Sequence, residues 1–269
     1  MAAVSQALLE FANHHRPRPE PGTEVIVTPR YVITLQPDFP LPGPNGVSFI
    51  RCRASETDEV IQEVRAVFQS RGLPLMWQLD PEMEPPDFAG HLERHGIHPD
   101  PHGSEFDVMV LPVDSKLDSP RIAGLEIHDA LADLATFRRA NAAAAEAFES
   151  AIPSDDRAVI AMQERRRLNL RAAGHRHLLL ATLDGEPAGT GSIGLFPPGG
   201  ATVNGGSVRP KFRGRGVYRA LVAARLEIAR NGGVDGLCVW GGRMSGPILA
   251  KLGFQTVGWR RFYVDTSTA

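Results

Sequence analysis

Between Val208 and Leu221 the chain reads VRPKFRGRGVYRAL, a run that carries Arg209, Lys211, Arg213, Arg215 and Arg219 with no acid among them. Gly214 and Gly216 leave the loop backbone without Cβ atoms, so several amide N–H groups can turn toward one point. The residues after Val217 have the periodicity of an amphipathic helix, with Leu221, Val222, Leu226 and Ile228 as core candidates. The first-turn N–H groups and positive dipole end of such a helix aim at the same place as the loop amides. Converging amides and cations suit a phosphate or pyrophosphate. The plainer alternative is a glycine-rich turn with a solvated basic face.

Those residues need elements to hold them. An apolar run at Ala201–Val208 reads as the strand that feeds the loop, and Val217 to Asn231 as the helix that leaves it. Gly236–Trp240 reads as the next strand. A short helix ends at Leu252, Gly253 fits its left-handed stop, and Gln255–Asp265 is the final strand. Upstream, Ile122–Ile127 is expected as a strand, about 129–148 and 155–173 as helices, and His177–Leu183 with Ala188–Leu195 as a hairpin across Asp184-Gly185-Glu186-Pro187.

The loop resembles the acetyl-CoA-binding motif of the GCN5-related N-acetyltransferases (GNAT), whose signature is Gln/Arg-x-x-Gly-x-Gly/Ala after a strand ending in Val-x-Pro. Val208-Arg209-Pro210 supplies the strand exit, Arg213 the first motif position and Gly216 the central glycine. Tyr218 departs from the last position, and a side chain of that size must swing outward to leave the helix start clear. Pro247-Ile248-Leu249-Ala250-Lys251-Leu252-Gly253-Phe254 resembles the closing helix of the same family.

The resemblance implies an α+β fold of α/β/α sandwich type, with a mixed, mostly antiparallel sheet flanked by helices. It implies acetyl-CoA as co-substrate, held by Val208, Arg213, Gly214, Arg215, Gly216, Val217 and Tyr218. The implied reaction is direct attack of a primary amine, from a small molecule or a peptide, on the thioester, with the backbone N–H of Val208 as carbonyl donor. Where the family commonly has a tyrosine as thiolate acid, this chain has Leu249. Ser245 is the candidate to donate a proton or orient a water, against an ordinary helix N-cap role. The family also often uses a glutamate base on the central strands, but the expected strand Ala201–Val208 has no acid. Glu146, Glu149, Asp155 and Asp156 could line an amine-binding mouth or a solvated face. His175 and His177 read as structural, Asn204 as a water holder or a bulge, and Trp240 and Met244 as core. A non-catalytic acyl-CoA-binding sensor on the same fold is the alternative function.

In the N-terminal half, Leu92–Ile97 repeats the spacing of Leu249–Phe254. This suggests a degenerate GNAT-like copy at 1–115 and the acetyltransferase domain at 120–269, joined by the polar stretch Asp114–Pro120. The chain has 269 residues, 42% apolar and 22% charged, enough for a packed core and a solvated surface. A net charge of −2 exerts no general pull toward nucleic acid or an anionic membrane. Cys52 and Cys238 read as buried reduced thiols, and no metal site is expected. With no span-length apolar stretch and no signal-like start, the expectation is a cytoplasmic monomer or homodimer.

Overall fold

The computed structural model describes residues 3–268. In chain order its elements are α1 (Gln6–His14), β1 (Glu24–Val27), β2 (Val32–Leu35), β3 (Gly46–Ser48), α2 (Thr57–Arg71), β4 (Leu75–Leu79), α3 (Phe88–Arg94), β5 (His98–Pro99) and β6 (Glu105–Pro112). There follow β7 (Leu125–Asp129), α4 (Leu134–Ala147), α5 (Arg157–Ala172), β8 (Arg176–Leu183), β9 (Glu186–Phe196), β10 (Gly200–Val208), α6 (Val217–Asn231), β11 (Gly236–Gly241), α7 (Gly246–Lys251) and β12 (Gln255–Asp265). This is the expected mixed fold, mostly antiparallel, with parallel pairing at β3–β4 and β10–β11. No helix among the described residues is long and apolar enough to cross a membrane.

The chain forms two compact units, and neither is contiguous in sequence. The N-terminal unit comprises His14–Val108, Trp240–Pro247 and the chain from Thr256 onward; the C-terminal unit comprises the chain up to Asn13, Met109–Val239 and Ile248–Gln255.

In the N-terminal unit the strand order is β1–β2–β3–β4–β12, with β5 also pairing β12. The core joins Ile33, Leu35, Ile61, Val64 and Phe68 to Trp77, Phe88 and Leu92, so α2 and α3 bury their apolar stripes on the sheet. The strand β3 stops at Ser48 because Phe49 takes a φ of 54°, outside the β region. The last strand closes the sheet from the far end of the chain, Arg261–Asp265 pairing with Leu79–Leu75. Arg65 of α2 locks that strand in place, its Nε donating to buried Asp265 at 2.7 Å.

In the C-terminal unit the order is β6–β11–β10–β9–β8–β7. One face packs on α6: Ala201, Val203 and Leu237 meet Val222, Ala223 and Leu226, while Leu179, Ala181 and Val208 meet Val217 and Leu221. The opposite face carries α4, whose Ala140 and Ala143 pack on Leu180. Asp133 starts α4 by accepting from the Thr136 amide at 2.8 Å, which explains why the helix begins later than the 129 expected from sequence. The α1 helix belongs to this unit too. Leu8 is fully buried, and Phe11 lies against Gly199 and Gly200.

Candidate active site

The parallel pair β10–β11 is short. Ala201 and Thr202 register with Leu237 and Cys238, and the rest of β10, Val203–Val208, has no partner on β11. Asn204-Gly205-Gly206 sits in that stretch as a β-bulge. The register with β9 shifts between Asn204 and Ser207, and Gly205 takes a φ of 58° that a side chain would resist. Beyond the bulge the ladder resumes, and the Arg209 amide donates to Ala188 at 2.9 Å. Hydrogen bonding alternates along an antiparallel pair, so Val208, one residue earlier, turns its N–H and C=O away from β9 toward the open edge. The Val208 carbonyl is taken there by Arg213 Nε at 3.3 Å. The proposed carbonyl donor thus has its amide on the free side of the strand.

From Val208 a single 3₁₀ turn (Pro210–Phe212) leads into the loop, and Gly216, at a φ of 82°, stands as the N-cap of α6. Among the described residues, no protein group accepts a hydrogen bond from the amides of Gly214, Arg215, Gly216, Val217, Tyr218 or Arg219. A consecutive run of such donors, longer than the first turn alone provides, has the chemistry that suits an anion.

The cations around it divide in two. Arg209 is bound to Glu146 at 2.7 Å and to Glu186 at 2.9 Å, and Lys211 also pairs with Glu186. Burial pulls the Arg209 guanidinium down, but hydrogen bonds to the two glutamates outweigh it and leave its pKa raised. Glu146 therefore serves as a counter-ion, not as a free carboxylate at an amine-binding mouth. Arg213, Arg215 and Arg219 have no carboxylate partner among the described residues. Arg213 also donates to Ala147 O at the end of α4, Arg219 to Asp118 O, and Arg215 lies over the Phe212 ring at 5.7 Å. These three supply the positive field.

Tyr218 does not swing outward. Its ring turns under β10, where a Cβ on Gly206 would come within 3.1 Å of it, and it reaches Arg225. Burial raises the Tyr218 pKa, against the charge and hydrogen bond of Arg225. Arg225 is only 2% exposed and no carboxylate among the described residues pairs with it. Its Nε donates to Leu221 O at 3.0 Å, and burial lowers its pKa. Gly191 and Gly206 make room for the guanidinium, since a Cβ at either would sit 3.1–3.2 Å from its atoms. Nothing in the sequence pattern flagged Arg225, which reads there as one more polar position on a helix.

The remaining candidates are placed as follows. Leu249 is buried in the core of the C-terminal unit, so α7 offers no acid at that position. Ser245 lies in the N-terminal unit, where its Oγ accepts from the Gly242 amide at 3.1 Å in the turn before α7. Met244 and Trp240, expected as core, are 82% and 38% exposed. Asn204 opens the bulge, and its carbonyl accepts from Ser192 Oγ at 3.1 Å. His175 has its Nδ1 2.8 Å from Ala173 O, and its ring edges Phe196. Cys52 and Cys238 are buried and not joined in a disulfide, and burial pushes the Cys52 thiol up. Among the described residues no cluster of histidine, cysteine and carboxylate could hold a metal ion.

The N-terminal unit repeats the local plan without the site. There, too, a strand (β3) leads through a short turn into a helix (α2) and a parallel partner (β4). Acid stands at its helix start instead of glycine and arginine: Glu56, the N-cap of α2, accepts from the Arg53 amide at 2.9 Å, and its bonds to the Arg53 side chain and backbone hold its pKa down to about 2. With Asp58 and Glu59 following in the first turn, that helix end repels anions.

The model of the acetyltransferase (GNAT) family matches residues 139–254. Among solved structures, a GCN5-related N-acetyltransferase from Kribbella flavida is 18% identical, with 91% of this chain and 90% of that chain covered at a TM-score of 0.65. A functionally unknown conserved protein from Staphylococcus epidermidis is 12% identical, with 91% and 94% covered and a TM-score of 0.66. A tandem GNAT protein from the clavulanic acid biosynthesis pathway is 17% identical, with 92% and 84% covered and a TM-score of 0.59. At these identities the likeness is one of fold. No curated protein matches by sequence.

Proposed function

Residues 139–254 being a domain of the GNAT acetyltransferase family, we propose that this protein transfers an acetyl group from acetyl-CoA to a primary amine of a small molecule or peptide. The observation that carries the reading is the run of vacant amides from Gly214 to Arg219, framed by Arg213, Arg215 and Arg219. A pyrophosphate there would satisfy donors that are otherwise left to solvent. The Val208 amide, on the open edge of β10, would polarise the thioester carbonyl in the direction in which charge develops. The amine attacks directly with both substrates bound, and orientation supplies much of the rate. With Leu249 buried where a tyrosine acid would stand, the departing thiolate takes its proton from solvent.

Calorimetric titration of acetyl-CoA into wild type and Arg215→Glu tests this reading. Arg215 is exposed, so its reversal spares the core. Wild type should bind and the variant should bind about tenfold more weakly, the equivalent of about 1.4 kcal/mol. Failure of wild type to bind acetyl-CoA would end the reading. The alternative, a non-catalytic acyl-CoA sensor, is favoured by the lack of any acid on β10 and at Leu249. Thiol release with an amine present separates the two. We also propose, from the shared strand–helix–strand plan, that 1–115 is a degenerate GNAT-like copy of the acetyltransferase segment 120–269, the two having exchanged their terminal segments; a cytoplasmic monomer or homodimer is part of the same proposal.

A further inference from the structure

Ser207 is 7% exposed, and its Oγ finds no hydrogen-bond partner. A buried hydroxyl left in this state is destabilising, and native proteins keep few of them. Its position in the sheet gives this one a purpose. Leu180, Thr190 and Ser207 lie in one row across β8, β9 and β10. Directly opposed residues share a face, and Leu180 is packed by Ala140 and Ala143 of α4. Ser207 therefore stands on the α4 face. The flanking positions face the other way: Gly206 looks onto Tyr218 and Arg225, and Val208 packs with Leu221.

The bulge produces this arrangement. It resets the alternation, so that a hydroxyl on one face is followed at once by an amide turned to the open edge. Thr190, directly opposite, has no hydrogen to give Ser207, since its own hydroxyl donates to Leu179 O at 2.8 Å. Thr202 Oγ1, also without a partner, precedes the bulge on the same strand. The alanines of α4 that cover this face bring no polar group of their own.

On the reading that this site performs amine acetylation, we propose that Ser207 is its amine-side catalytic residue: Ser207 Oγ accepts a hydrogen bond from the attacking amine and aims its lone pair at the carbonyl held by the Val208 amide. Ser207 takes no proton. The amine nitrogen forms the C–N bond, the C–S bond breaks, the sulfur leaves as thiolate, and the surplus amine proton passes to water. Electrons and atoms balance without a base on β10. The hydroxyl that is an unpaid cost in the free protein gains its partner only in the ternary complex, which is how a site favours the reacting arrangement over the empty one.

The test compares wild type, Ser207→Ala and Ser207→Thr. Thermal melting should show Ser207→Ala at or above wild type, since it removes an unsatisfied group. Calorimetry should give it an acetyl-CoA affinity within about twofold of wild type. Thiol-release kinetics over a panel of primary amines (diamines, amino sugars, amino acids, short peptides) should show kcat/KM for the best amine falling about tenfold in Ser207→Ala. Ser207→Thr, which keeps the hydroxyl, should recover most of it. Equal kcat/KM in wild type and Ser207→Ala overturns the role of Ser207 and leaves acetyl transfer standing. A wild type that binds acetyl-CoA yet acetylates no amine overturns the role together with the transfer reading. A wild type that fails to bind acetyl-CoA overturns the cofactor assignment itself.

Discussion

Arg225 is a cation whose energetics are out of line with its surroundings. A guanidinium buried without a carboxylate keeps most of its desolvation penalty, offset here by Leu221 O and the Tyr218 hydroxyl alone. Replacing it with an apolar side chain of similar length should help the free fold. We expect Arg225→Met to raise stability by about 1–3 kcal/mol, read from urea melts. Gly206→Ala should instead destabilise by about 1–3 kcal/mol, because its Cβ would press within 3.1–3.2 Å of Tyr218 and Arg225. The two changes share a contact, so the alanine should cost less in the Arg225→Met background. Additive effects would show that the guanidinium gives way freely. The sequence announced the glycines of this region but not their reason. Gly214 and Gly216 belong to a recognisable loop, whereas Gly191 and Gly206 yield space to an arginine that is distant from them along the chain. Ser207 was equally hidden, since only the bulge decides which face it occupies.

At the scale of elements, α6 and α2 show how one plan can be open or closed. Both follow a strand that pairs in parallel with the strand beyond the helix. The first presents glycines and arginines, the second its own carboxylates. Periodicity made α6 legible, since it spans the residues expected for it, and the final strand Gln255–Asp265 is found as read. What the pattern could not give was partnership. An apolar alternation places a strand in a sheet without saying which sheet, and β12 pairs with β4, a segment read from the opposite end of the sequence. That partnership has a pH signature. Burial alone would raise the Asp265 pKa, but hydrogen bonds from Arg65 and Ser267 outweigh it and hold it below 3.8. A depressed carboxylate stabilises the fold above its unfolded pKa and loses that contribution as pH falls through the folded value. Wild type should therefore lose stability below about pH 4 more steeply than Asp265→Asn, which starts lower at pH 7. Parallel acid limbs in the two melting series would remove Asp265 from the account.

At the scale of the molecule, the two compact units cannot be cut apart at one peptide bond. The C-terminal unit takes Leu8 and Phe11 from α1 and Met109, Leu111 and Leu117 from the segment around β6. A truncated chain beginning at Ser119 lacks all five. It should aggregate or melt without cooperativity, as seen by calorimetry, although it contains the whole loop. A sharp, reversible transition in that fragment would show that these side chains are dispensable. The same interleaving bears on how the protein comes to exist. A ribosome delivers the chain from its N-terminus, and domains ordinarily fold as they emerge. Here β4 can pair early with β3, but it meets its second neighbour only once Arg261–Asp265 have been made. Until then the N-terminal unit waits with an open edge, and its folding is gated by the arrival of a strand made long after the rest of its sheet.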